Sequence, residues 1–284
     1  MTNTVRVLAT ALLLLTGRTA AVAARPQRIA SLNLAADEIL AELVPVTRLV
    51  AVTAAADNPE MSNVVGRFPP QIARFSKANI ERLIALSPDL VIVSEYTDAD
   101  FMRALESSGL HAHRMGGLHS LAGIRRAILD LGDAVSEPAR AHTLVAGFDA
   151  RMAELSRRLA GAARPRVLYW SNPFTAGGDT AIGAVIECGG AVNVGREIGL
   201  TGIQPLSAER AFMARPDVIL LGLKDDLRLI REHPLLSKLA AVQEGRLVDL
   251  SPHLLATLSQ HVSDSCWALA AALHPDRMLG ARPR

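Results

Sequence analysis

Apolar positions along the chain fall into two alternating periods. Continuous runs such as Leu90-Val91-Ile92-Val93 and Val218-Ile219-Leu220-Leu221 suit strands covered on both faces, whereas the intervening stretches repeat apolar residues every three or four positions. The pattern predicts strand 28–32, helix 35–43, strand 48–52, helix 79–86, strand 89–94, helix 98–107 and strand 111–115. Such alternation argues a mostly parallel sheet in an α/β fold.

From 136 to 159 the pattern becomes a single long helix, with Pro138 in its first turn and Gly161 and Pro165 beyond its end. That length exceeds what a crossover between strands needs, so it is read as a connector. The α/β alternation then restarts with strand 166–170, helices 180–188 and 207–214, strands 217–221 and 246–250, and one last helix over 256–273. The expected organisation is an α/β protein of two Rossmann-like lobes with mostly parallel sheets, an N-terminal lobe over 25–135 and a C-terminal lobe over 164–284. One long rigid connecting helix over 136–163 joins them. Glu81 and Glu209 each stand eight residues before an Asp in a Pro-Asp turn, Pro88-Asp89 and Pro216-Asp217, that opens a buried strand. The recurrence marks an internal repeat, one copy per lobe.

The first residues read differently. Arg6, the apolar run 7–15 and the small residues Ala21-Val22-Ala23 have the order of a secretory signal peptide over 1–24, cut near Ala23 or Ala24. The alternative, a membrane anchor, needs about 20 apolar residues. No Cys lies near the cut for lipid attachment, so the expected product is an exported, soluble periplasmic protein. In that oxidising compartment the two cysteines, Cys188 and Cys266, read as one disulfide, two buried thiols being the alternative.

Composition narrows the function. The 284 residues are 50% hydrophobic and 20% charged, enough apolar content for two cores and against a disordered chain. A net charge of +2 gives no electrostatic footprint for nucleic acid. With 4% aromatic residues, any flat ligand must be held by a few identifiable rings. No nucleophile elbow, phosphate loop, dinucleotide glycine pattern or zinc-protease helix is present, so no catalytic residue and no resident cofactor are assigned. His111 and His113 share one side of a predicted strand, and His253 and His261 flank the last predicted helix. They leave open a zinc-type metal-ion carrier, against the plainer reading of scattered surface histidines.

Longer motifs carry more weight: Arg28-Ile29-Ala30-Ser31-Leu32-Asn33 with Glu38 on the following helix, Asn79 through Ile92, Asn172-Pro173-Phe174-Thr175-Ala176-Gly177, Glu187-Cys188-Gly189-Gly190-Ala191-Val192-Asn193, and Leu206-Ser207-Ala208-Glu209. With these the chain resembles class III periplasmic substrate-binding proteins of ABC importers, which deliver iron-siderophores, haem or cobalamin, and most closely the vitamin B12-binding branch. The paired Cys188 and Cys266 resemble that branch's disulfide. The resemblance implies a monomer that holds a small-molecule metal chelate between lobes with little hinge closure, and a membrane permease as partner. It also implies that Glu81 and Glu209 dock onto arginines of that permease.

The expected ligand-binding set is Asn33, Arg67, Phe75, Tyr96, Trp170, Phe174 and His253. Phe75 and Phe174 stand where the B12-binding branch places rings, while Ala55, Ser94 and Ile203 occupy other such places. Tyr96, Tyr169 and Trp170 offer rings from neighbouring positions. Arg67 and His253 are the candidates should the chelate be a siderophore or haem. The expected cargo is a cobalamin-type corrinoid ahead of a ferric siderophore, the competing classes being the metal-ion carrier and an exported α/β enzyme.

Overall fold

The computed structural model describes residues 25–223 and 225–279; the proposed signal peptide lies outside them. The first lobe runs β1 (Ile29–Ser31), α1 (Leu34–Leu43), β2 (Leu49–Thr53), β3 (Ala73–Phe75), α2 (Ile80–Leu86), β4 (Leu90–Ser94), α3 (Ala99–Ser107), β5 (Ala112–Met115) and α4 (Leu121–Ala134). Its strands are all parallel, in the order β3-β2-β1-β4-β5. The order reverses at β1 and β4, whose carboxyl ends form the crevice where open α/β sheets bind ligands. Asn33 opens α1 there, its Oδ1 accepting from the N–H groups of Ala35 and Ala36 at 2.9 and 3.3 Å.

After α5 (Pro138–Leu159) the second lobe continues with β6 (Arg166–Trp170), β7 (Phe174–Ala176), α6 (Ala181–Cys188), β8 (Val192–Asn193), α7 (Val194–Glu197), β9 (Ile203–Pro205) and α8 (Ala208–Ala214). Then come β10 (Val218–Leu221), α9 (Asp226–Glu232), α10 (Ala240–Gln243), β11 (Leu247–Asp249), α11 (Pro252–Ala256), α12 (Val262–Leu273) and α13 (Pro275–Met278). The parallel sheet has the order β11-β10-β6-β8, and β7 and β9 form an antiparallel ribbon beside it. None of the described helices is long and apolar enough to cross a membrane.

The internal repeat holds at the level of hydrogen bonds. Asn79 and Ser207 cap the seven-residue helices α2 and α8 by accepting from the N–H groups of Arg82 and Arg210. Both helices end on a left-handed residue, Ser87 at φ 47° and Arg215 at φ 46°. In both, the turn Asp then accepts from the backbone N–H opening the lobe's first strand, Asp89 from Arg28 at 2.9 Å and Asp217 from Arg166 at 2.8 Å. Those same arginines reach back to the carbonyls of Ser87 and Arg215. The Glu-to-Asp spacing therefore measures one helix plus one strand entry, and it places Glu81 and Glu209 at the same position of the first turn.

Three α5 residues, Val145, Phe148 and Leu155, belong to one continuous apolar cluster with Ile124 and Ile128 of α4 and Val262, Cys266 and Leu269 of α12. A single core thus runs through the connecting helix from lobe to lobe. Cys188, at the end of α6, is bonded to Cys266 in α12, 78 residues away. The last helix departs from expectation, because the single helix over 256–273 is broken between α11 and α12. The hydroxyls of Thr257 and Ser259 in that break both donate to Glu38 of the first lobe, at 2.9 and 2.5 Å. Helical geometry would not turn both toward one acceptor, so a contact with the other lobe overrides the local helical pattern.

Candidate ligand-binding cleft

A cavity of about 500 Å³ opens between the lobes. From the first lobe it is lined by Asn33 and Leu34 after β1, by Ser94 at the end of β4 with Glu95 and Tyr96 beyond it, and by Met115 at the end of β5 with Leu118 and His119 beyond it. The second lobe contributes the start of α6, the β9 residue Ile203 and the segment 255–258. The β-strand ends of the first sheet thus face the opening turn of α6, and both lobes supply wall. The volume lies within the range of small-molecule sites, and Leu34, Met115, Leu118, Ile182, Ile203 and Leu255 make its walls largely apolar.

Local chemistry sets each wall. Thr180 caps α6, accepting from Gly183 N–H at 2.9 Å while its hydroxyl donates to the Gly177 carbonyl at 2.9 Å. Gly177 is held there by close approach, since a Cβ at that position would stand 2.2 Å from the Leu200 carbonyl oxygen. On the opposite wall Glu95 accepts from Gly117 N–H at 3.0 Å, and a Cβ at Gly116 would collide with the Glu95 side chain. Glu38, fully buried beneath the cleft, accepts from the backbone and side-chain N–H groups of Asn63, both at 2.8 Å, besides the two hydroxyls of the second lobe. All four bonds reach a carboxylate held away from water, so the floor is both satisfied and fixed.

The electrostatics are one-sided. Glu38, Glu95 and Asp179 line the cleft, and among the described lining residues His119 is the sole basic side chain, with neither Arg nor Lys. Behind Glu38, burial pushes the carboxyl of Asp37 up to about 7, against the lowering effect of bonds from Ser31 and Thr53. Its Oδ2 accepts from Thr53 N–H at 3.0 Å and Thr53 Oγ1 at 2.6 Å, while Oδ1 has no hydrogen-bond partner among the described residues.

The structure brings only part of the expected set together. Asn33 and Tyr96 line the cleft, with Tyr96 85% exposed at its rim, and so do Ser94 and Ile203, the places where rings were missing. Trp170 does not: it is 4% exposed in the core of the second lobe, because its position in β6 points the indole between sheet and helices. Tyr169, its neighbour, is buried in the other core. Arg67 is also elsewhere, paired with Glu42 at 3.2 Å and bonded to the Ala41 carbonyl in a separate surface pocket. Phe174 stands on the β7–β9 ribbon, 42% exposed, with Ile203 of the same ribbon reaching the cavity instead.

His253 is half-buried in α11, and its helix neighbours Leu255 and Ala256 form the wall. Phe75 is buried beside a second, smaller cavity of the first lobe. Glu81 and Glu209 are both exposed, as a docking pair must be. The carboxyl of Glu209 is held below the usual carboxylate range by a bond to its own backbone N–H and by the Ser207 hydroxyl.

The histidines do not converge. Among the described residues no group of three or more His, Cys, Asp or Glu is placed to hold a metal ion. His261 pairs with Asp264 at 3.0 Å, and burial pushes the half-buried His113 imidazole down, favouring its neutral form. Sequence reasoning missed Glu95, Met115, His119 and Asp179. Each lies at a strand end or just before a helix, where periodicity carries no signal; the sheet order brings Glu95, Met115 and His119 to one edge, and Asp179 faces them from the start of α6 in the other lobe.

Residues 29–254 match the family described as periplasmic binding protein. Over 208 residues, 71% of this chain, the sequence is 27% identical to a cobalamin-binding protein of Halobacterium salinarum, and spans 55% of that relative's length. It is 21% identical over 224 residues to an uncharacterized ABC transporter substrate-binding lipoprotein of Bacillus subtilis, covering 74% of this chain and 71% of the other. A periplasmic heme-binding protein of Pseudomonas aeruginosa superposes with a TM-score of 0.75 at 24% identity, covering 91% of this chain and 95% of that one.

Proposed function

The chain belongs to the periplasmic binding protein family, and we propose that it captures a metal chelate between its lobes for an ABC importer, a cobalamin-type corrinoid ahead of a ferric siderophore. The observation that carries this reading is the charge of the cleft. Haem propionates and anionic ferric chelates call for Arg or Lys partners, and the cleft offers Glu95 and Asp179 instead. A cobalt(III) corrin is a flat cationic macrocycle edged by neutral amides. It suits apolar walls, a mildly acidic rim and capped helix starts. The cobalamin-binding relative supports the same choice.

A second reading rests on Tyr96 and His119, which stand in the cleft as oxygen and nitrogen donors that an iron centre accepts. The matched family and relatives are binding proteins and not enzymes. Glu81 and Glu209, matched in position on the two lobes, supply the proposed contact with the permease.

The test is thermal unfolding of the protein with cobalamin, cobinamide, haem and ferric siderophores. A ligand at 100 times its dissociation constant adds about 2.7 kcal/mol of stability. A shift with the corrinoids alone is expected; a shift with haem or a ferric siderophore alone transfers the assignment to the second reading, and no shift with any of them removes it.

A further inference from the structure

Beside the main cleft the same sheet edge carries a second cavity of about 260 Å³, lined at the ends of β1, β2 and β3 by Leu32, Thr53 and Phe75. The loops 32–34 and 94–97 wall both cavities, so the two are neighbouring parts of one groove along the strand ends. Their charge differs. Among the described residues the main cleft is lined by acids and no Lys or Arg, whereas the side cavity is lined by Lys77 and no carboxylate. Lys77 is exposed and makes no ion pair among the described residues. Phe75 and Phe101 form its apolar walls, and Ser76 and Thr97 add hydroxyls. The Arg82 guanidinium lies 4.6 Å from the centroid of the Phe75 ring, adding positive potential behind the wall.

We propose that the side cavity is a second subsite that takes an aryl group bearing an anionic oxygen substituent, with Lys77 as its cation. Two rings beside an unpaired ammonium and free hydroxyls match such a group, and the absence of carboxylate lining removes the repulsion that the main cleft would impose. Only the source of the group depends on the chelate-binding function proposed for the adjoining cleft. The nucleotide arm of a cobalamin, a benzimidazole near a phosphodiester, has this chemistry, and so has a catecholate arm. A groove divided into an acidic and a basic part thereby selects chelates whose charge is divided the same way.

The probe for the subsite itself is phenyl phosphate, titrated into the full chain at millimolar concentration and followed by NMR. Shifts are expected at Phe75, Lys77 and Phe101, absent with phenol or inorganic phosphate alone and lost in Lys77→Gln. Shifts that spare those residues, or persist in the variant, overturn the proposal. Calorimetry with cobalamin and cobinamide, which lacks the nucleotide arm, then identifies the source: the preference for cobalamin should fall about three- to tenfold in Lys77→Gln. An unchanged ratio overturns the nucleotide-arm assignment. If neither corrinoid binds, the corrinoid reading of the main cleft fails while phenyl phosphate still decides the subsite, and ferric tris-catecholate against tris-hydroxamate replaces the corrinoid pair.

Discussion

The carboxylate of Glu38 accepts a hydrogen bond from Ser259 Oγ at 2.5 Å across 221 residues of sequence. Through it the opening helix of one lobe holds the break between α11 and α12 of the other, directly below the cleft. With Thr257 and Asn63 completing its four bonds, Glu38 ties together two loops that local hydrogen bonding alone would leave loose.

Glu38→Ala should therefore be severe. It leaves two hydroxyls and the Asn63 N–H groups without their acceptor, a loss of roughly 3–5 kcal/mol for a broken buried charged network. Glu38→Gln keeps the shape and one acceptor oxygen, so its loss should be smaller. Urea unfolding measures both, and hydrogen exchange over 257–260 should accelerate in the Ala variant. Wild-type stability in Glu38→Ala would show that the tie carries no energy.

Asp37 predicts a pH dependence. The folded protein holds the Asp37 proton up to about pH 7, while the unfolded chain releases it near 3.8. Between those values the folded state binds more protons, so stability should fall as pH rises from about 4 to 7 and level off above, by at most about 4 kcal/mol. Asp37→Asn keeps an acceptor for Thr53 and cannot ionise. Denaturation midpoints across pH 4–8 should lose this slope, and at pH 8 the variant should be at least as stable as wild type.

The Cys188–Cys266 bond closes a 78-residue separation. Its loss in Cys266→Ala, or by reduction of the wild type, should cost roughly 3–5 kcal/mol in the chain-entropy account. Because neither cysteine lines the cleft, ligand affinity should persist at temperatures where the variant stays folded. Urea unfolding with and without reductant, paired with calorimetry, checks both halves.

Rings at the rim and in the core should respond oppositely. Tyr96→Ala removes an exposed ring from the cleft, and the affinity for the best chelate should fall about five- to fiftyfold, with unchanged thermal stability. Trp170→Ala empties a core position and should cost roughly 3–5 kcal/mol of stability. Calorimetry and thermal unfolding on both variants separate the two roles.

Docking has its own signature. In Glu81→Lys/Glu209→Lys like charges replace the proposed attraction to permease arginines on both lobes at once, which penalises assembly more than removing one rim charge does. Ligand affinity should match wild type, and uptake in reconstituted vesicles should stop. Normal uptake would remove the docking role.

Much of the fold was legible because its determinants are local. Strands β4 and β10 show as continuous apolar runs, α1 and α2 open on side-chain caps, and the eight-residue spacing from Glu to Asp repeats because each lobe uses the same helix, left-handed stop and strand entry. The β7–β9 ribbon was not legible, since Phe174-Thr175-Ala176 and Ile203-Gln204-Pro205 are short and lie among Gly and Pro without a flanking apolar run.

What the sequence determined by itself is therefore the α/β alternation, the twin lobes and the family to which the motifs belong; it left the two cysteines open between one disulfide and two thiols, and the structure decided for the bond. The tertiary structure alone decided which rings reach the cleft. Trp170 and Tyr96 are equally apolar-bodied residues near strand ends, and nothing local distinguishes them. Strand position buries Trp170 among β6 neighbours and leaves Tyr96 at the mouth of the cleft. The same holds for Glu38, an ordinary helical glutamate in sequence, whose three partner residues lie 25 to 221 positions away. Long-range contact energy, which no short window of sequence contains, broke the last helix and built the floor of the site.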